Sequence, residues 1–451
     1  MNGLAATVAV WLLFAGAIAL AVRRLRWGVF LWMALAGVMM VPLCSVRHSA
    51  VYFSAAYLTA LLVCQGREML RQGRFELAKS RLTTPLATLA VIAVLSWLHG
   101  MLDYDPTVAG EHRSVLVEIY ASAIPVLSVA AAFLVARTLD SGPDLKRAFW
   151  IVTGVGVLML ASLHVPVPLF TRPRWWPVIV AYAVSLLYAA ILYAPGMNPW
   201  LKMLGIAVVA DGVGQVFVLQ LLHPERDQWV SGWVMIVVPL LWITSRRCQL
   251  GLSSVARLIV RVRDRGRWRW TAVGCGMAAL LVSLPLLYGV LNRARAEQDF
   301  DRFYIWADAV RVWLVRPVLG VGPGNYVDYA QRYAQGRIVY TSAHGNYQQI
   351  LAEMGLAGLI ALVWLLLRAV TLGVALLRSA EDAFVRSIAA GIVGGLLGQI
   401  CASVLGDYLI PAYHNGGHTN FCATVYTWMM IGILVAIETG ARKRPLAAAP
   451  R

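Results

Sequence analysis

The sequence is short of charged residues. Of its 451 residues only 14% are Asp, Glu, Lys or Arg, whereas an average soluble protein carries about 25%. The hydrophobic share is 60% and the mean hydropathy is +0.68. These values exclude an ordinary water-soluble protein and are typical of an integral membrane protein.

The cysteines lack a pairing pattern. There are six, none forms a Cys-x-x-Cys pair, and most lie in or beside apolar runs. Neither a disulfide framework nor a cysteine zinc site is indicated. The chain also lacks a repeat of fixed period, which argues against a solenoid.

Apolar runs of about 20 residues recur along the chain, and this is the length that a transmembrane helix needs. We predict spans near 4–22, 27–44, 50–64, 82–99, 117–137, 148–163, 175–194, 200–222, 231–245, 270–290, 348–378, 387–410 and 420–438, with a shorter piece at 248–260. With weak neighbours merged, this is an all-α polytopic membrane protein of about 12 transmembrane helices. We expect the first run to remain in the protein, because Arg23, Arg24 and Arg26 follow it where a signal peptide would be cleaved.

The net charge of +17 comes from Lys and Arg clustered in short loops at 23–26, 67–81, 146–147, 261–269 and 442–444. Such clusters mark the cytoplasmic side and contact anionic headgroups. We therefore expect membrane lipids as partners and no nucleic acid. The chain divides into N-terminal transmembrane helices (1–290), a periplasmic helical insertion (291–347), and C-terminal transmembrane helices with a short cytoplasmic tail (348–451).

The insertion contains an aromatic helix and a glycine-rich stretch. Apolar positions 303, 306, 310, 313 and 314 fall on one helical face, as expected for a helix on the membrane surface or packed on the bundle. Pro317 ends this helix. The following Gly-x-Gly-x-Gly has no Lys-Ser/Thr after it, so we interpret it as a turn that places the next helix and not as a nucleotide loop.

His344 is the most informative residue. Its imidazole lies where the polar insertion gives way to a strongly apolar run, so it can reach both an aqueous substrate and a lipid headgroup. Histidine has a pKa near neutrality, which suits a general base that removes a hydroxyl proton.

Four motifs resemble those of the O-antigen ligase and polymerase superfamily. The stretch Pro-Val-Leu-Gly-Val-Gly-Pro-Gly-Asn-Tyr at 317–326 is similar to its Pro-x-x-Gly-x-Gly-x-Gly-Asn-aromatic motif, and Arg302 with Trp306 matches its Arg-x-x-x-Trp element. The stretch 344–355 resembles its His-Asn-x-x-x-Gln-x-x-x-Glu-x-Gly, except that Gly345 replaces Asn. Residues 243–247 resemble its Thr-x-Ser-Arg-Gly, with Arg247 in place of Gly.

The resemblance implies glycosyl transfer at the outer face of the bacterial inner membrane. The donor is an undecaprenyl-pyrophosphate-linked glycan, the ligase acceptor is a sugar hydroxyl of lipid A–core, and no cofactor is implied. We assign His344 as the base and Arg302 and Arg246 to the pyrophosphate, because arginine offers bidentate contacts to phosphate. Further substrate-binding candidates follow from the same segments: Asn346, Gln349, Glu353 and Arg311.

Several assignments have plainer alternatives. Loop counting places Arg246 on the cytoplasmic side unless 248–260 crosses or re-enters the membrane. Glu353 is expected to need a partner near the bilayer. Asp211 and Asp407 are expected to pair with arginines across helices. His414 and His418 are four residues apart, but the two glycines between them favour a loop over a metal site.

Three functions compete on these patterns. A ligase that joins O-antigen to lipid A–core is favoured, mainly because the insertion is one compact segment. An O-antigen polymerase or a protein O-oligosaccharyltransferase would use the same donor. A transporter of a polyprenyl-linked glycan is disfavoured, because charge within the membrane is sparse and transporters place charged or broken-helix sites at the midplane.

With no metal-ligand cluster in the sequence, we predict that transfer is independent of divalent metal. Treatment of the purified protein with EDTA should leave the rate of glycan transfer unchanged. Complete loss of transfer that a divalent ion restores would contradict this prediction.

Overall fold

The computed structural model describes residues 3–46, 49–73, 78–108, 115–165, 176–222, 230–259, 299–334 and 340–443. The predicted span at 270–290 and the basic clusters at 261–269 and 444 lie outside these ranges. Within them the chain forms fourteen helices and one two-stranded sheet. The nearly all-helical class is therefore confirmed.

The elements follow one another in a simple order. A short hairpin, β1 (Pro42–Val46) with β2 (Ser49–Tyr52), is antiparallel and lies between α2 and α3. The helices are α1 (Gly3–Arg23), α2 (Leu25–Leu35), α3 (Phe53–Gln72), α4 (Thr83–Leu102), α5 (Val115–Thr138), α6 (Gly142–His164), α7 (Trp176–Tyr193), α8 (Pro199–Leu222), α9 (Val230–Ile259), α10 (Asp299–Val315), α11 (Tyr326–Ala334), α12 (Asn346–Ser379), α13 (Ala383–Ala402) and α14 (Gly417–Lys443).

Seven helices in the described ranges are long and apolar enough to cross a membrane. They are α4, Ile119–Thr138 of α5, α6, α7, α12, α13 and Gly417–Gly440 of α14. The chain is thus a multi-pass membrane protein, while the total of about 12 spans stays a prediction.

Several predicted spans differ from the observed helices. The run at 27–44 is helical only to Leu35, since Pro42 disfavours a helix before it and begins the hairpin. The pieces at 231–245 and 248–260 form the single helix α9, because the polar residues between them are compatible with helix. The run at 387–410 leaves the helix after Ala402.

The contacts define two ends of the bundle. At one end, which we call the site end, the loop 403–416 meets the start of α12: the amide of Asn346 donates to the carbonyl of Ser403 at 2.8 Å. At the opposite end, the Glu438 carboxylate accepts from Ser80 at 2.7 Å and pairs with Arg81 at 3.2 Å. Each of α4, α12, α13 and α14 runs between these ends.

Basic residues concentrate at the opposite end. Arg26 pairs there with Asp140 at 2.9 Å and with Asp144 at 3.3 Å, and Arg147 pairs with Asp144 at 3.1 Å. Lys146 lies 5.8 Å from the Phe384 ring centroid at the start of α13. This excess of cations is typical of the cytoplasmic side.

The helix α12 is broken at Gly355. This residue has φ 65° and ψ −168°, so the helix stops at Met354 and resumes at Leu356. The break frees backbone groups on both sides, and such groups must find partners inside a membrane protein. The glycine-rich stretch 317–324, here called the glycine loop, supplies these partners.

Four backbone hydrogen bonds join the glycine loop to the break. The amides of Val321 and Gly322 donate to the carbonyls of Ala352 and Glu353 at 3.1 and 2.9 Å; the amides of Leu356 and Ala357 donate to the carbonyls of Pro317 and Val318 at 2.9 and 3.1 Å. The Ser96 hydroxyl of α4 adds a bond to the Glu353 carbonyl at 2.7 Å. The predicted turn is therefore confirmed. It also supplies hydrogen-bond partners to the backbone groups that the break in α12 frees.

The described part of the insertion has an apolar cluster of its own. On α10 the buried residues are Ile305, Ala309 and Val312, and not the face predicted from sequence. Phe303 and Leu314 of the predicted face are 68% and 62% exposed. Of the two expected arrangements, this exposed apolar face favours contact with the membrane surface.

The described residues 299–334 of the insertion are here called the cap. The α4–α5 loop holds this cap against the bundle. Arg332 of α11 pairs with Asp105 at 2.8 Å, and Arg316 pairs with Asp103 at 3.1 Å. Hydrogen bonds from Thr107, with a further contribution from Arg332, lower the pKa of Asp105. The Asp105 carboxylate is therefore charged at neutral pH and available to Arg332.

We predict that Gly355→Ala destabilises the protein. A Cβ at position 355 would collide with the carbonyl of Val318, and the left-handed φ of 65° would add strain. Together the clash and the strain should cost roughly 2–5 kcal/mol, seen as a lower melting temperature in detergent. Gly154→Ala in α6 is the matched control, because a Cβ there meets nothing within 4 Å. Equal melting temperatures of the two variants would contradict the prediction.

Candidate active site

The Glu353 carboxylate holds the glycine loop from inside the bundle. It accepts from the amide of Gly324 at 2.9 Å, and the amide of Tyr326 and the side chain of Gln349 also bond to it. These amides lie at the start of α11, where a carboxylate satisfies unpaired donors and interacts well with the helix dipole. The predicted need of Glu353 for a partner is thus met by backbone amides and Gln349.

Gln349 links Glu353 to the segment that carries His344. Its Oε1 accepts from the amide of Ala343 at 2.8 Å, while its amide group bonds to the Glu353 carboxylate one helical turn further on. Both side chains are buried. The two motif residues therefore set the position of the chain next to His344.

A small cleft, with free internal space of about 20 Å³, lies beside Glu353. Gln349 and Glu353 contribute polar groups, while the other walls are mostly apolar and come from α5, α12 and the loop 410–413. Its lining residues are Ala121, Pro125, Pro323, Gly324, Gln349, Ile350, Glu353, Met354, Ile410, Pro411, Ala412 and Tyr413. Its free space is enough for about one water molecule.

His344 has a strained backbone. Its φ is 47°, and among the described residues it is the one non-glycine residue with positive φ. Such conformations cost free energy and cluster at functional sites. The amide of His344 donates to the Ser342 hydroxyl at 3.1 Å, and its ring meets that of Tyr340 edge to face at 5.6 Å. The half-buried imidazole is the titratable group that the sequence predicted here.

Asn346 ties the start of α12 to the loop 403–416. Its Oδ1 accepts from the amides of Leu409 and Ile410 at 2.6 and 3.3 Å, and its Nδ2 donates to the carbonyl of Ile410 at 2.5 Å. The side chain is fully buried. Its observed bonds thus position the chain, and substrate binding by Asn346 stays a prediction.

The predicted arginines lie on different elements. Arg302 is in the first turn of α10, where the structure describes the backbone only. Arg311 lies about two and a half turns further on and pairs with Asp308 at 2.9 Å while remaining half-exposed. Both belong to the cap at the site end.

Arg246 lies towards the opposite end. Met235 of α9 packs against Gly398 near the site end of α13, and Arg246 follows eleven residues later, or about 16 Å along the helix axis. There it bonds to Gln249 at 2.9 Å and lies 5.7 Å from the Trp242 ring centroid. The structure thus separates Arg246 from His344, and α9 continues as one helix to Ile259.

Other polar residues have partners that the sequence did not indicate. Asp211 was expected to pair with an arginine, but it pairs with His164 at 3.0 Å. His414 and His418 bond separately to the carbonyls of Gly324 and Tyr120 at 2.9 and 3.0 Å. His414 therefore joins the glycine loop to the loop 403–416, while His418 joins α5 to the start of α14.

Sequence reasoning missed Ser342 and Asn415. The Asn415 Nδ2 donates to Ser342 at 3.2 Å and to Asp407 at 3.0 Å, in a stretch noticed only for its histidines. The signal that was available is its polarity: asparagines between two apolar runs require partners when they are buried.

We predict that Gly345→Asn, which restores the residue usual in the similar family motif, impairs the protein. A Cβ at position 345 would lie 2.7 Å from the carbonyl oxygen of Val404 and would displace the Gln348 side chain. Since a backbone carbonyl cannot move freely, we expect a loss of roughly 1–3 kcal/mol of stability. Gly73→Asn is the control, because that site is open and Asn tolerates its left-handed φ. Thermal melting of both variants measures the difference, and equal values would contradict the prediction.

Comparison with known proteins agrees with these motifs. Residues 230–363 match the family model described as Wzy_C: O-Antigen ligase, and this range includes α9, the glycine loop, His344 and the break in α12. No curated protein matches the chain. The family comprises glycosyltransferase-like enzymes that act on O-antigen. The segment 230–363, a little under a third of the chain, is therefore similar to the O-antigen ligase family.

Proposed function

We propose that this protein is an O-antigen ligase that transfers a glycan from undecaprenyl pyrophosphate to a sugar hydroxyl of lipid A–core. The observation that carries the proposal is the placement of His344. It lies in a strained backbone conformation, at the site end of a membrane bundle, within the part of the chain that matches the O-antigen ligase family.

The reaction needs one base and one leaving group. The acceptor hydroxyl oxygen attacks the anomeric carbon, and a new C–O bond forms while the bond from that carbon to the pyrophosphate breaks. His344 takes the hydroxyl proton, and undecaprenyl pyrophosphate leaves with the bonding electrons. A histidine base suits this step because the ordinary pKa of histidine lies near neutrality.

Negative charge develops on the leaving pyrophosphate, so cations are needed nearby. Arg302 and Arg311 of the cap are at the site end, and we assign the pyrophosphate chiefly to Arg302. Arg246 is a second candidate, but the packing of α9 places it far from the level of His344. We therefore expect Arg302→Gln to slow transfer more than Arg246→Gln.

Gln349 and Glu353 hold the glycine loop at the site end, beside the small cleft. The excess of basic residues at the opposite end supports a cytoplasmic position for that end. The site end is then periplasmic, where lipid A–core and the donor glycan meet.

We predict that His344→Ala and His344→Asn both reduce transfer by about 10²–10⁴-fold, the contribution typical of a general base. Asn tolerates the left-handed backbone, so the second variant removes the imidazole with little effect on conformation. The assay combines purified protein, undecaprenyl-pyrophosphate-linked glycan and lipid A–core. Expression and donor binding should stay close to those of the unsubstituted protein.

The products of this assay separate the competing functions. Glycan on lipid A–core, formed only with His344 present, supports the ligase. Lengthening of the donor-linked glycan without modification of lipid A–core would make the protein a polymerase. Near-normal transfer by His344→Asn would exclude His344 as the base, and the absence of both products would overturn glycosyl transfer.

A further inference from the structure

The backbone on both sides of His344 is fastened to one loop. Ser342, two residues before it, bonds to Asn415, and Asn346, two residues after it, bonds to Leu409 and Ile410. These partners all belong to the loop 403–416 between α13 and α14. A residue held at both flanks by the same loop cannot shift unless that loop shifts too.

The bond from Asn415 reaches the strained residue through the Ser342 hydroxyl. The Ser342 oxygen accepts from the amide of His344 at 3.1 Å and from Asn415 Nδ2 at 3.2 Å. Asn415 Nδ2 also donates to Asp407 Oδ2 at 3.0 Å, and its two hydrogens allow both bonds. The polar chain therefore runs Asp407, Asn415, Ser342, His344.

Burial makes these bonds costly to lose. Ser342 and Asp407 are fully buried and Asn415 is 3% exposed. In such surroundings a hydrogen bond is stronger than in water, and polar networks can hold a single arrangement. The positive φ of His344 costs free energy, and contacts of this kind offset that cost.

We propose that Ser342 and Asn415 are positioning residues that keep His344 in its left-handed conformation, so that the imidazole stays where the transfer reaction needs it. This rests on the proposed role of His344 as the base. Neither residue takes part in the proton transfer. Their effect on the rate passes through His344 alone.

The first test is a double-mutant cycle in the transfer assay. We expect Ser342→Ala and Asn415→Leu each to lower kcat about 10- to 100-fold, because small misplacements of a reacting group have effects of this size, with the donor KM changed less than about threefold. In a His344→Asn background the same substitutions should lower the residual rate no further. Ser185→Ala is the control, since it removes a buried hydroxyl bonded at 2.6 Å to Ala181 in α7 and should leave kcat unchanged.

The second test does not depend on activity. Hydrogen–deuterium exchange of the full-length protein in detergent should show faster exchange at 340–346 in Ser342→Ala and Asn415→Leu, with exchange in α7 unchanged. Full-rate transfer by both variants, or a further loss of rate in the His344→Asn background, would overturn the positioning role. So would unchanged exchange at 340–346. If instead His344→Asn transfers normally while exchange rises as expected, the proposed base is wrong and the structural link stands.

Discussion

The structure depends on one constraint: backbone polar groups freed inside a membrane protein must find partners in the protein itself. The break at Gly355 frees such groups in α12, and the glycine loop supplies their partners through four backbone hydrogen bonds. Because Gly320 approaches the backbone at 353–355 too closely for any Cβ, this arrangement needs glycine on both segments. The broken helix and the loop therefore form one unit.

This unit explains how a few polar residues can be kept in order among apolar helices. Glu353 binds the start of α11, and Gln349 connects it to the chain just before His344. The loop 403–416 fastens the same chain from the other side through Asn346 and Asn415. His344 thus lies between two segments that are each held in place by hydrogen bonds.

Apolar runs and residue spacing predicted those features that depend on neighbouring residues in the sequence. Long apolar runs predicted α4, α5 and α7 to within a few residues, and the spacing of Gln349 and Glu353 predicted neighbours on one helical turn. Hydropathy alone did not predict the hairpin at 42–52, because Pro42 ends the helix within an apolar run. It also did not predict that α9 is continuous, because the polar residues near Arg246 interrupt the apolar run without ending the helix. The bond between Ser342 and Asn415 joins residues 73 apart, so nothing in either segment alone could predict it.

The proposed transfer requires the site end to face outward, because the proposed donor and acceptor lie on that side of the membrane. The direct measurement is labelling of single cysteines, in a background without the native ones, by a membrane-impermeant maleimide on spheroplasts. Thr341 is exposed beside His344, and Glu381 is exposed at the opposite end of α12. We predict that Thr341→Cys is labelled on intact spheroplasts and Glu381→Cys only after permeabilisation. The reverse pattern would contradict it.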